Sequence, residues 1–407
     1  MRPLTDARRR VLEAMPRMPH ETVSVTDAVG RVTAAPVVAQ EAIPPFGNSA
    51  MDGFAVRAAD IAAAPIQLRV LEDVPAGSVP TMTVTEGTAT RIMTGAPVPD
   101  GADTIVLVES TSMVASDVVL VSEAFPVGTS VRPRGSDVQP GDTIVRAGVR
   151  LTPRHTASIG TVGVAPTVAI APTVAVMATG DELRPPGSTD IPVGSIRDTN
   201  RPMLLELLAA LSVPTIDMGI IGDDPDELRA AYSDAAARSD MIVSTGGVSM
   251  GDYDFVKQVL GEAGDVDFWR VAMQPAKPFA FGSFEGTPLL GLPGNPVSTF
   301  VAFEQFVRPA LLTMMGANLV LRPRIPGVMG EDVSTNPEKE VFVRAILAED
   351  EGRFVALRAG GQGSHMLSSL AAADAFAVVP VGTGDLSAGD AVTLEMFTWP
   401  ENRSADG

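Results

Sequence analysis

Apolar residues recur near helical spacing at Leu4, Ala7, Val11, Leu12 and Met15, and Pro16 ends the run, so a helix is predicted at the N-terminus. The pattern changes over residues 46–140. Short Val/Ile/Thr runs (ATRIMTG, TIVLVES, DVVLVS, TIVRAGVRL) alternate with Gly, Pro and Asp, which predicts a β-rich segment. Val/Thr alternation in TVGVAPTVAIAPTVAVMATG (161–180), broken by Pro166 and Pro172, predicts two buried strands and a domain boundary nearby.

From 171 to 315 strands and helices alternate. TVAVMATG, TIDMGII, MIVSTGG and PLLGLPG read as strands. Between or after them come helical stretches: RPMLLELLAALSV, a helix opened by Asp224-Pro225-Asp226-Glu227, and VSTFVAFEQFVRPALL. Four strand–loop–helix units predict a parallel, doubly wound α/β sheet. Beyond about 320, VFVRAIL, FVALRA, AFAVVPV and AVTLEMF predict a small β-barrel or sandwich.

Composition narrows the chemistry. The 407 residues contain no cysteine, which excludes disulfides, Cys-zinc sites, iron–sulfur clusters and a Cys nucleophile. His20, His155 and His365 are too scattered for a His-rich metal site. The net charge of −19 repels phosphate backbones, so no nucleic acid partner is expected. The N-terminus has no signal-peptide pattern and the longest uncharged stretch, 155–180, carries two prolines, so a cytoplasmic protein with no membrane partner is expected. Only Lys257, Lys277 and Lys339 are lysines, which makes a lysine in a Gly/Pro loop conspicuous.

In an open parallel sheet, ligands bind beyond the carboxyl ends of the strands. Four such ends can be read: Thr179-Gly180-Asp181-Glu182, Gly222-Asp223-Asp224, Thr245-Gly246-Gly247-Val248-Ser249 and Gly291-Leu292-Pro293-Gly294-Asn295-Pro296. Glycines let backbone N–H groups approach an anion, so a phosphate-bearing ligand is expected there; ordinary turn chemistry is the alternative. Neither a P-loop, a Gly-x-Gly-x-x-Gly nor a Gly-x-Ser-x-Gly is present. Asp252 and Asp254 follow the third end and, with Asp181, Glu182, Asp223 and Asp224, could hold Mg²⁺; Asp224 is equally a natural helix cap. Lys277 stands in QPAKPFAFG between two prolines, so a fixed ammonium and an oxyanion ligand are expected, against a solvated surface lysine. Asp52 is crowded with Asn48 and Ser49 in PPFGNSAMDGFAVR, and Arg132, Arg134 and Asp137 cluster in VRPRGSD, which alone reads as a solvated strand edge.

PPFGNSAMDGFA, RIMTGAPVPDGAD, RPRGSDV, ATGDEL, IRDTN, STGGVSMGDYDFVK, PAKPFAFG, GLPGNPVS and GQGSH occur in this order over residues 20–400. In this the chain resembles the molybdopterin molybdenumtransferases, the molybdenum insertase family that includes the catalytic domain of gephyrin-like proteins. The resemblance implies insertion of molybdate into adenylylated molybdopterin with release of AMP, supported by Mg²⁺. It implies an elongated homodimer with the site near the subunit interface, and handover partners among molybdenum-cofactor biosynthesis proteins. It also implies four parts: a discontinuous small mixed domain (1–45 and 140–170), a β-rich lid (46–139), a doubly wound molybdopterin-binding domain (171–318) and a C-terminal β-barrel (319–400).

By the same resemblance, Asp52 and Asp254 are catalytic, and Asp254 with Glu182 holds the metal. Lys277, Pro278, Ser298, Arg344 and Ser364 are similar to the positions of a molybdate pocket. Thr179, Asp181, Glu182, Asp224, Gly246, Gly247, Ser249, Pro293, Asn295 and Pro296 resemble substrate-cleft positions, and Arg134 and Asp137 lid residues near it. The chain departs from the family pattern at Gly47, usually polar; Gln274, commonly lysine; Ala276, commonly glycine; and Phe54, commonly tyrosine. Arg270, nearby in sequence, is a candidate to replace the charge absent at 274. Two other classes fit parts of the pattern: a pyrophosphatase or amidohydrolase acting on nucleotides, and a non-catalytic scaffold.

Overall fold

The computed structural model of the chain describes residues 1–248 and 255–399. Its centre is a six-stranded sheet in the order Thr215–Ile221, Val174–Thr179, Met241–Thr245, Thr287–Leu292, Pro278–Phe284, Gly264–Arg270. The first four are mutually parallel and the last two join antiparallel. The parallel strands Val174–Thr179 and Met241–Thr245 are buried at every position, which is why they read as unbroken apolar runs and not as alternation. Leu204 and Leu208 of helix Asn200–Ala209 pack on one face; Leu228, Tyr232 and Ala235 of helix Pro225–Arg238 pack on the other. This is the predicted doubly wound sheet.

A mixed six-stranded sheet (Gly53–Val56, Ile66–Val74, Thr88–Ile92, Thr104–Leu107, Thr111–Ala115, Val118–Val121) forms the β-rich segment around its own apolar clusters. Short strands His20–Thr22 with Thr167–Ala169 and Val37–Val38 with Thr143–Val145 close the discontinuous part. Helix Pro153–Thr161, which the alternation pattern did not predict, starts there behind a Thr152–His155 capping box. The predicted N-terminal helix is Leu4–Glu13; its Leu4, Ala7 and Val11 enter the apolar cluster of the central sheet together with Phe306 and Leu311.

The C-terminal segment closes as a barrel. Arg324–Met329, Glu340–Asp350, Arg353–Arg358, Ala375–Val379 and Ala391–Met396 pair in a ring, Glu340–Asp350 meeting Ala375–Val379 to complete it. Met273–Gln274, from the central domain, adds to Glu340–Val341 as a further strand. The long helix predicted at 297–312 is interrupted: α-helix at Pro296–Ala302, π-turn at Phe303–Val307, α-helix at Arg308–Met314. Pro309 has no N–H to give the Gln305 carbonyl, and Arg8 Nε donates to that oxygen instead (3.1 Å). No helix among the described residues is long and apolar enough to cross a membrane.

Candidate functional site

The carboxyl ends of the four parallel strands converge as predicted. Thr179 Oγ1 reaches Thr245 O (3.5 Å), and Thr245 Oγ1 donates to Pro293 O (3.1 Å). Asn200 Nδ2 donates to both Thr245 Oγ1 (2.9 Å) and Gly294 O (2.8 Å); Thr299 Oγ1 donates to Pro293 O (2.7 Å). This buried network fixes the loops 179–182, 245–248 and 292–296 relative to one another. Gly246 has φ +98°, and a Cβ there would lie 2.5 Å from Thr179 O, so only glycine lets the third loop cross the first. Thr245 was read only as the end of a strand and Asn200 only within IRDTN, neither as a site residue; the signal was Asn200 immediately before the Arg201-Pro202 helix start. Its Oδ1 is buried without a partner among the described residues, an acceptor free for a donor at this edge.

The acidic loops face each other. Asp181 N donates to Asp223 Oδ2 (3.2 Å) and Asp223 N to Asp181 Oδ1 (3.1 Å). Among the described residues neither they nor Glu182 form an ion pair, and hard oxygen donors of this kind suit a divalent cation. No group of three such side chains converges among the described residues to complete a metal set. Asp224 is the helix cap: its Oδ1 accepts from Asp226 N (3.0 Å) and Glu227 N (2.9 Å). Ser249, Asp252 and Asp254 lie outside the described residues.

A second cluster joins the sheet to the barrel. Arg344 is fully buried on strand Glu340–Asp350. Its Nε donates to Ser369 Oγ (2.8 Å), and its Nη2 to Gly361 O (2.8 Å) and Gly363 O (3.2 Å). It has no carboxylate partner among the described residues, and burial pushes its guanidinium below the usual arginine range. The loop it holds leads to Ser364, whose carbonyl accepts from Val297 N (3.1 Å), so this loop docks on the first turn of helix Pro296–Ala302, the helix that carries Ser298. Pro278 opens strand Pro278–Phe284, and Lys277 precedes it, half-buried, with no hydrogen bond or ion pair from its ammonium among the described residues. Ala276, Val297, Phe300 and Phe342, chain neighbours of these groups, belong to the apolar cluster of the central sheet.

The loop carrying Lys277 is tightly held. Val271 N donates to Lys277 O (2.8 Å) and Ala276 adopts φ +73°, a left-handed conformation that favours glycine. Gln274 accepts at its Oε1 from Lys339 Nζ (3.5 Å), while Arg270 is exposed at the end of the edge strand; the cation beside position 274 is therefore Lys339 and not Arg270.

The β-rich segment presents the remaining candidates. Asp52 is exposed, and its Oδ1 accepts from Thr94 N and Thr94 Oγ1 (2.7 Å each), which holds its carboxyl below the usual aspartate range. Gly53 behind it leaves no room for a Cβ, which would sit 2.0 Å from Val106 O. Arg134 and Asp137 are exposed on a loop tied to Ile43 and Pro44 by backbone bonds. Among the described residues no hydrogen bond or ion pair joins Asp52, Arg134 or Asp137 to the sheet edge. The candidates thus divide between two regions of the chain.

Comparison with known proteins agrees with this architecture. Residues 2–163 match the MoeA N-terminal region (domain I and II), 175–313 a probable molybdopterin binding domain, and 326–397 the MoeA C-terminal region (domain IV). A molybdopterin molybdenumtransferase of Haemophilus influenzae is 34% identical over 97% of this chain and 98% of its own length. Molybdopterin molybdenumtransferase 2 of Mycobacterium tuberculosis is 38% identical over 96% and 98%. A crystal structure of the molybdopterin biosynthesis moeA protein from Pyrococcus horikoshii superposes with a TM-score of 0.82 at 28% identity, covering 98% of this chain and all of that one. With relatives matched along their full lengths and both the sheet and the barrel in place, the chain belongs to the molybdopterin molybdenumtransferase family.

Proposed function

We propose that the chain inserts molybdate into adenylylated molybdopterin, releasing AMP and forming the molybdenum cofactor. The observation that carries this reading is Arg344, a buried guanidinium with no counter-ion among the described residues, holding the loop that runs to Ser364; with Ser298 and the half-buried Lys277 it is read as the oxyanion site. Molybdate is a dianion and must meet a phosphate-bearing ligand. Two anions 4 Å apart repel by about 4 kcal/mol per charge pair at an effective dielectric of 20. Lys277, Ser298, Arg344 and Ser364 supply fixed donors that offset this on the molybdate side. The nucleotide and pterin side lies over the carboxyl edge, where Gly246, Gly247, Pro293 and Asn295 shape the floor and Asn200 Oδ1 offers an acceptor to a pterin or adenine N–H.

Mg²⁺, held by Asp254 and Glu182, supplies charge neutralisation at the phosphoanhydride when bound. Asp181 and Asp223, without ion pairs of their own among the described residues, add to the negative field that draws it in. The site is completed in a homodimer in which Asp52, Arg134 and Asp137 approach the carboxyl edge, since within one chain no described bond brings them there. The protein works in the cytoplasm, receiving its substrate from, and passing its product to, other cofactor-biosynthesis proteins.

The test is AMP release from adenylylated molybdopterin with and without molybdate and Mg²⁺. Molybdate-dependent release that Asp254→Asn abolishes is the expected result. Release that ignores molybdate would mark a nucleotide hydrolase, and no release from a folded dimer would mark a scaffold.

A further inference from the structure

The barrel docks along the helix that carries Ser298. At the start of that helix Val297 N donates to Ser364 O (3.1 Å), and further on Phe300 packs edge-on against Phe376 and Phe397, with ring centres 5.9 and 5.3 Å apart. Apolar burial is non-directional, so polar groups must set the register of the two parts. Gln305, in the π-turn that continues the helix, stands at this joint and is fully buried. Its Nε2 donates to Oε1 of Glu395, a buried carboxylate on strand Ala391–Met396. Glu395 Oε2 accepts from Arg324 Nε (2.9 Å), and Arg324 Nη2 donates to Glu340 Oε1 (3.2 Å), on the strand that pairs with Met273–Gln274. On its other side Gln305 accepts twice from Arg8 of the N-terminal helix: Nη2 reaches its carboxamide oxygen, and Nε its backbone carbonyl (3.1 Å), which Pro309 leaves free. The cation and the carboxylate together fix which way the amide points, oxygen to Arg8 and NH₂ to Glu395. Among the described residues, Gln305–Glu395 is the one hydrogen bond between buried side chains of this helix and the barrel.

We propose that Gln305 is a positioning residue for the molybdate site: its carboxamide sets the register in which the barrel, carrying Arg344 and Ser364, meets the sheet domain, carrying Lys277 and Ser298. The inference rests on the reading that these four groups hold molybdate. Two of them come from each side of the joint, so a shift of the barrel along the helix changes the span between them. The carboxyl-edge loops 179–182, 245–248 and 292–296 all belong to the sheet domain and are bonded to one another, so the same shift leaves them in place. A buried carboxylate deprived of a donor keeps its desolvation cost, and Glu395 therefore seats the barrel where the Gln305 amide can meet it. Register governs the oxyanion and not the nucleotide.

The experiment uses the full-length protein, with molybdate and AMP as separate probes in equilibrium dialysis. Gln305→Glu sets two carboxylates against each other and should weaken molybdate binding by about tenfold, the scale of one charge-assisted hydrogen bond, with AMP binding within about twofold of the parent. Adding Glu395→Gln exchanges carboxylate and carboxamide: residue 305 still accepts from Arg8, residue 395 now donates to it and still accepts from Arg324, and the net charge is that of the parent. This double variant should bring molybdate binding back to within about threefold. Molybdate binding unchanged in Gln305→Glu, a parallel loss of molybdate and AMP, or a double variant as weak as the single one would each overturn the proposal. Should Gln305→Glu fail to fold, Arg8→Met loosens the same link from its outer end; a loss of about threefold for molybdate alone supports the proposal and no loss overturns it. Lys277→Ala separates the two readings. If it weakens molybdate binding and Gln305→Glu does not, the register role is excluded and the pocket stands; if neither does, the pocket is misassigned and the proposal falls with it.

Discussion

Arg344 and Lys277, both proposed for the molybdate site, are held in opposite ways. The arginine has no exposed surface and spends its donors on Ser369, Gly361 and Gly363, so the protein fixes it before any ligand arrives. The lysine is half-buried, and its ammonium is bound to nothing among the described residues; only its backbone is held. A planar fork suits the first task and a compact, mobile charge the second. The contrast teaches that charge and architecture are separable here: one cation also builds the loop 361–364, and the other leaves its charge uncommitted among the described residues.

The largest effect expected is from Arg344→Lys. It keeps a charge but cannot reproduce the fork, so it should lose about 2–4 kcal/mol of stability and most molybdate binding, read by thermal unfolding and dialysis. Lys277→Ala should raise the half-saturating molybdate concentration by about tenfold or more, yet move unfolding free energy by only about 0.5 kcal/mol. If Lys277→Ala destabilises as much as Arg344→Lys, the two cations are not doing different jobs and the comparison breaks. Asn200→Ala sharpens it from the sheet side: it removes the donor to Thr245 Oγ1 and Gly294 O, and should cost about 1–3 kcal/mol and weaken nucleotide binding more than molybdate binding.

Smaller effects test local geometry. The Asp52 carboxyl sits below its ordinary 3.8 because Thr94 donates two hydrogen bonds to the ionised form. Its folded value is lower than its unfolded one, so the favourable interaction is complete above the unfolded value and fades as pH falls through the folded one. Thr94→Val should therefore raise the Asp52 titration midpoint toward 3.8 in a carboxyl NMR titration, with no change at neutral pH. Ala276→Gly relieves a left-handed alanine and should change stability by no more than about 1 kcal/mol, in the stabilising direction, while loosening the Lys277 loop.

Much of the site was legible where a residue's job is local. The four strand ends, the glycines at 246 and 247 and the capping spacing at Asp224 could be read directly, because strand periodicity and turn chemistry operate over a few neighbours. Asp224 caps its helix as that spacing reads, while one other reading changed. The helix at 297–312 breaks because Pro309 frees a carbonyl that Arg8, far away in sequence, then satisfies. The pairing of Met273–Gln274 with Glu340–Val341 gave no local sign at all, since the two segments are distant in sequence and adjacent only once the barrel docks.

The order of apolar runs, turns and charges was enough to determine a doubly wound sheet, a flanking β-rich segment and a terminal barrel, and to point to Lys277 and the carboxyl-edge loops. These features depend on hydrophobic period and on backbone freedom, which a linear chain displays. Which cations stand unpaired and which distant donors and acceptors meet were decided by the tertiary structure alone. Coulombic and hydrogen-bond partners are chosen by distance in space: the loop held by Arg344 meets Val297 of the central domain, and Met273–Gln274 meets Glu340–Val341, only after segments from separate domains pack.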